Sequence, residues 1–230
     1  MTPALHALAI TSAIWSLLLL GAIFSETFPP DVAVFGSFLV ATLLLLATRN
    51  PGLRRRTPPG AWILGMVSGF AAYPLWIWVI SRVGLFIGLE DVPADAAPQG
   101  ILTLFAVLAL GPLFEELLYR ERLLDTLATA RLPCCIRLIA TSVLFALPHL
   151  QPWPILGTFF VGLALALVYE STHCVGFCIA LHAGLNLASV ISPLPASGSL
   201  LGLLAASAFA WGLRIVRRTQ MGMDDAVAAA

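Results

Sequence analysis

An all-α polytopic membrane protein, a bundle of about eight transmembrane helices, is the fold class that the sequence predicts. Three observations predict it. Of the 230 residues 60% are hydrophobic and only 10% charged, with a mean hydropathy of +0.96, whereas soluble chains carry about 25% charged and about 45–50% apolar residues. Apolar runs of membrane-crossing length recur along the whole chain. Charge collects in the connections between them, and arginine collects in alternate connections. The net charge of +0 and the absence of any basic cluster larger than Arg54-Arg55-Arg56 exclude nucleic acid as a partner. Low charge and high hydrophobicity exclude a disordered chain.

A bilayer core takes about 20 mostly apolar residues per helix. Candidate spans fall at roughly 4–24, 32–48, 61–81, 99–119, 134–149, 154–170, 174–191 and 199–216. No connection is long enough to hold a soluble domain and no internal repeat is visible, so residues 1–230 are read as a single integral membrane domain. The first span lacks the basic flank of a cleaved signal and is expected to be a retained helix. Arg49, Arg54, Arg55 and Arg56 lie in one connection, Arg120, Arg122, Arg131 and Arg137 around another, and Arg214, Arg217 and Arg218 in the tail. The intervening connections carry Glu26 and Asp31, then Glu90, Asp91 and Asp95 against Arg82. The positive-inside rule then predicts that both termini are cytoplasmic. All basic side chains are Arg, and Ala and Leu are heavily used, the bias expected of a GC-rich bacterial genome. The expected location is therefore a bacterial inner membrane, with membrane lipid as the surrounding partner.

Cys134, Cys135, Cys174 and Cys178 form no C-x-x-C and no disulfide framework, and read as small buried apolar residues. No H-E-x-x-H is present, which argues against a zincin-type intramembrane metalloprotease, and no metal ligand is assigned.

Ionisable groups inside apolar runs are costly and therefore informative. Glu115 and Glu116 end the fourth run, and the helix is expected to continue past Arg120 to about residue 130. Glu116 and Arg120 are i, i+4 with the carboxylate on the favoured side, so they read as a structural ion pair. Glu115 is turned about 100° away and left free for proton chemistry. The plainer alternative is a helix end with three interfacial charges. In the next helix Phe145 and His149 share a face, and Pro148 removes a backbone hydrogen bond and bends the end. A histidine there can be merely interfacial. If the two helices turn near residue 132, however, Glu115 and His149 are equally far from the turn and come to one level. Finally, His182 and Asn186 share a face of the seventh run. Two such groups within a membrane need partners. They can be interhelical glue, or they can donate to a developing oxyanion. Cys178, one turn before His182, is a conceivable thiol nucleophile.

At these residues the chain resembles the CPBP family of CAAX proteases and bacteriocin-processing enzymes, also called the Abi family. Its marks are E-E-x-x-x-R, F-x-x-x-H and H-x-x-x-N on successive membrane helices. Here they read Glu115 to Arg120, Phe145 to His149 and His182 to Asn186. The resemblance covers about residues 111–190 and implies the CAAX protease fold, with residues 99–191 as catalytic core. It also implies a glutamic-type intramembrane endopeptidase that needs no cofactor. Its substrate would be a membrane-anchored or lipidated protein, cut near the C-terminal tail. Carried over, Glu115 is the general base, His149 orients the water, His182 and Asn186 form the oxyanion hole, and Glu116 and Arg120 support the site. At about 1.5 Å per residue, Glu115 stands roughly 25 Å from the arginine-flanked turn. The site is thus expected toward the outer leaflet, as would suit a myxosortase-like member that trims sorting anchors. The competing readings are a proton-coupled transporter, since Glu and His also form proton relays, and a non-catalytic scaffold or immunity protein on the same fold.

Overall fold

The computed structural model describes residues 28–48, 57–88, 100–149, 152–191 and 214. The predicted spans at 4–24 and 199–216 lie outside these residues. The described residues are helical and contain no strand. Helix α1 is Pro30–Ala47 and α2 is Pro59–Phe86. The long rod α3 covers Ile101–Thr129. It is followed by α4, Cys134–Ala146, with a 3-10 turn at Leu147–His149. Helices α5, Pro152–Thr172, and α6, Val175–Ile191, complete the set. By length and composition Pro59–Phe86, Ile101–Thr129 and Pro154–Thr172 can each cross a membrane, and Asp31–Ala47, Cys134–His149 and Val175–Ile191 are shorter apolar helices.

Local sequence explains the boundaries. Proline occupies the first turn of α1 and of α2, where its missing N–H costs nothing. The rod α3 ends with Arg131 in the left-handed region at φ 60°. There Arg131 N–H bonds Ala128 O and Leu132 N–H bonds Leu127 O, the paired closure of a helix C-terminus. Pro133 then starts α4 on the return path. The hairpin expected near residue 132 is thus made by α3 and α4. Pro148 breaks the α4 ladder as its missing amide requires, and the last turn tightens to a 3-10 turn.

Within α3 the helix is not uniform. Two π-helical stretches, Ala106–Leu110 and Leu117–Leu124, enclose the α-helical piece Gly111–Glu116 that carries both carboxylates. Such widened turns shift the face that follows them, and they concentrate at functional sites.

Packing follows from where small residues let backbones meet. Helices α2 and α6 lie backbone to backbone: a Cβ at Gly69 would collide with the Leu181 carbonyl, and one at Gly184 with the Met66 carbonyl. Lipid offers apolar side chains as good a solvent as protein does, so such close approach is the main source of helix association in a membrane. The buried core gathers around the second half of α3, where Phe114, Leu118, Tyr119 and Leu123 meet Leu165 of α5 and Phe177 and Cys178 of α6. Leu43 of α1 and Ile63 and Val67 of α2 face outward, as lipid contact requires. Near the end of α3 polar ties brace the bundle. Arg122 reaches Thr48 after α1, the Tyr169 hydroxyl donates to Asp125 Oδ2 at 2.9 Å, and Arg137 pairs with Glu170 at 2.8 Å.

Gly69→Ala is expected to lower stability by about 3 kcal/mol, the upper end for overpacking. Gly36→Ala, at a position with open space around it, is expected to be neutral. Thermal unfolding of both variants in detergent micelles checks the contrast.

Candidate active site

The i, i+4 spacing on α3 places Glu116 Oε2 at 3.0 Å from Arg120 Nε, with both side chains at 0% exposure. The angles of this contact fall outside those of a hydrogen bond, so it is a Coulombic pair rather than a fork. The other carboxylate oxygen is also engaged: Glu116 Oε1 lies 3.1 Å from His182 Nδ1 on α6. A carboxylate paired with Arg120 accepts, so chemistry assigns the hydrogen to Nδ1. The far ring nitrogen, Nε2, faces Glu115 Oε2 at 3.7 Å. Glu115 keeps 14% of its side-chain exposure where Glu116 keeps none. Two adjacent carboxylates are therefore sorted by helix rotation, one into the core and one toward the open side of His182.

The spacing of α3 alone left Glu115 unpartnered and gave Glu116 a single partner. In the folded chain both face His182, because α6 packs against this stretch of α3.

Phe145 joins the three motifs. Its ring centroid lies 5.4 Å from Tyr119, 6.2 Å from His149 and 5.7 Å from His182, and the Arg120 guanidinium carbon sits 5.0 Å over it. Guanidinium Nη1 and Nη2 have no hydrogen-bond partner among the described residues, so the ring face supplies part of the stabilisation that this buried cation needs. His149 and His182 thus belong to one cluster, each packed on the same aromatic ring. The sequence offered Phe145 only as a face-mate of His149, and nothing in its spacing showed that Arg120 would lie on it.

Asn186 takes a place that sequence spacing could not show. Its Nδ2 donates to Val107 O of α3 at 2.9 Å, which fixes the amide plane and leaves the second N–H. Cys178 is fully buried and its Sγ is directed to Leu165 O at 3.8 Å; the conceivable thiol nucleophile therefore points into the core. Among the described residues no three His, Cys, Asp or Glu side chains are grouped so as to hold a metal ion.

Because Arg120 and Glu116 are both fully buried, Arg120→Met strands a carboxylate and is expected to cost about 3–5 kcal/mol, while the double change Arg120→Met, Glu116→Gln recovers much of that loss. Unfolding midpoints of wild type, single and double variants in micelles check this.

Residues 97–188 match the family model described as Type II CAAX prenyl endopeptidase Rce1-like. No curated protein and no solved structure matches the chain. The matched stretch contains all three motifs and the cluster around Phe145, on an all-helical apolar scaffold. Residues 97–188 are thus similar to the CAAX protease family, and the apolar helices that carry them are those of an integral membrane protein.

Proposed function

We propose that the chain is a glutamate-dependent intramembrane endopeptidase that hydrolyses a peptide bond near the C-terminus of a membrane-anchored or lipidated protein. The observation that carries this reading is that His182, which faces both Glu115 and Glu116, packs together with His149 on the ring of Phe145, inside apolar helices. Buried carboxylates and imidazoles are expensive in such a place, and a site that moves protons is the usual reason for them.

Each residue takes a role consistent with its position. Glu115, the less buried carboxylate, accepts a proton from a water oriented by His149. The resulting hydroxide attacks the scissile carbonyl carbon, and the electron pair of the C=O bond moves to its oxygen. His182 and the free N–H of Asn186 donate to that oxyanion. With Nδ1–H given to Glu116, His182 can donate from Nε2 only as imidazolium. In that form Arg120 and His182 balance Glu115 and Glu116, two charges of each sign. Collapse of the intermediate breaks the C–N bond, and Glu115 returns the proton to the leaving amine. Arg120 and Glu116 hold the imidazole and touch no reacting atom.

Glu115→Ala, Glu115→Gln and His149→Ala are each expected to lower cleavage of an anchored tail peptide by at least about 10²-fold, the usual contribution of a positioned acid or base, with abundance and unfolding midpoint retained. Full cleavage by Glu115→Ala would remove the assignment. The same reading puts the arginine-flanked turn at residues 130–133 on the cytoplasmic side and the site toward the outer leaflet. A single cysteine at position 149, in a background lacking the four native ones, is expected to react with a membrane-impermeant reagent added outside intact cells. Reaction only after the inner face is opened would place the site on the other side.

A further inference from the structure

Two backbone carbonyls beside the site have lost their helical donors, and both for the same reason. In α3 the Gly111 amide is given to Ala106 O, the five-residue step of a π turn. The next amide in that register belongs to residue 112, which is Pro, so Val107 O has no donor in its own helix. Asn186 Nδ2 of α6 donates to this carbonyl. In α4 the Leu147 amide is given to Val143 O. The next residue is Pro148, so Leu144 O is vacated in turn. The Tyr119 hydroxyl of α3, itself fully buried, donates to it at 3.0 Å.

We propose that Pro112 and Pro148 make a matched pair of interhelical latches. Each proline empties one carbonyl, and a side chain from a neighbouring motif helix takes it. The latches set Asn186 and the turn that bears His149, which makes Pro112 and Tyr119 positioning residues for cleavage. Within an apolar bundle an emptied carbonyl has no water to turn to, so it demands one donor at one height. Neighbouring carbonyls in a regular ladder are already engaged and offer no equivalent rung. Sliding α6 along α3, or α4 along α3, would leave both the donor and the emptied carbonyl unmet. The two latches therefore fix register along the helix axes, which greasy packing alone fixes poorly. Pro148 directly precedes His149, and Leu144 directly precedes Phe145, so the Tyr119 latch sits beside both. The Val107 latch uses one N–H of Asn186 and thereby aims the other.

The positioning role rests on the peptidase reading above; the latches themselves do not. The test is a double-mutant cycle on the full chain in lipid nanodiscs. Tyr119→Phe removes the hydroxyl and keeps the ring on Phe145, while Pro148→Ala gives Leu144 O an amide of its own. Tyr119→Phe is expected to lower kcat about tenfold, the scale of one hydrogen bond, with KM unchanged. In the Pro148→Ala background the same change is expected to have less than about a twofold effect. Pro112→Ala, which lets an amide compete for Val107 O, is expected to lower kcat about tenfold with KM unchanged as well. The unfolding midpoint is expected to show the same pattern, falling on Tyr119→Phe only where Pro148 is present. Equal losses in both backgrounds overturn the latch. Coupled midpoints without any fall in kcat overturn the positioning role. Should the wild-type chain cleave no tail peptide, the peptidase reading and the positioning role fall together, and the midpoint cycle still decides the latch. Should Pro148→Ala not fold, isotope-edited infrared spectroscopy of the Leu144 carbonyl takes its place: Tyr119→Phe is expected to move that band to higher frequency, and an unmoved band overturns the proposal.

Discussion

A carboxylate with no exposure at all, Glu116, sets the terms for the rest of this molecule. Alone in an apolar bundle it would be ruinous, since desolvating one ion costs several kcal/mol even after relaxation. It is tolerated because two helices answer it at once, α3 through Arg120 one turn away and α6 through His182. Arg120 in turn needs more than one contact, and the face of Phe145 on α4 provides it. Three helices are thereby committed to one arrangement by the demands of a single buried charge. The ion pair adds little net stability by itself; its use is that any wrong arrangement leaves a bare charge in hydrocarbon.

The same logic holds for the backbone. A regular membrane helix satisfies its own polar groups and has nothing to say to its neighbours. Prolines 112 and 148 and the two widened stretches of α3 break that self-sufficiency close to the site. What they release is met by Asn186 and Tyr119 from other helices. Irregular backbone and buried charge thus fall in one zone of the bundle, while the other face of α6 meets α2 along flush glycine contacts.

How much of this could be read from the sequence follows from the range of each interaction. The six described helices lie where apolar runs placed them, because hydropathy is a local property and the turn at residues 130–133 carries its own stop signal in Arg131 and Pro133. Glu116 beside Arg120 was legible for the same reason: four residues on one helix face need no knowledge of other helices. Contacts between helices were not legible. The sequence aligned His149 with Glu115 by counting residues to a turn, and grouped His182 with Asn186. In the folded chain His182 turns both nitrogens toward the carboxylates, and Asn186 is held by a carbonyl in α3. No periodicity reveals which carbonyl a proline five residues on will empty, because that depends on where the helix widens. The role of Phe145 as a common support was equally hidden, since an aromatic in an apolar run looks like any other core residue.

The flush contact of α2 with α6 has one more consequence. Main-chain atoms there meet with no room for even a methyl group, so neither an acyl chain nor an extended peptide can pass between these two helices without prising them apart. A polypeptide that reaches Glu115 from within the lipid must therefore slip in by a different flank of the bundle. The wall behind the imidazole of His182 is in effect sealed.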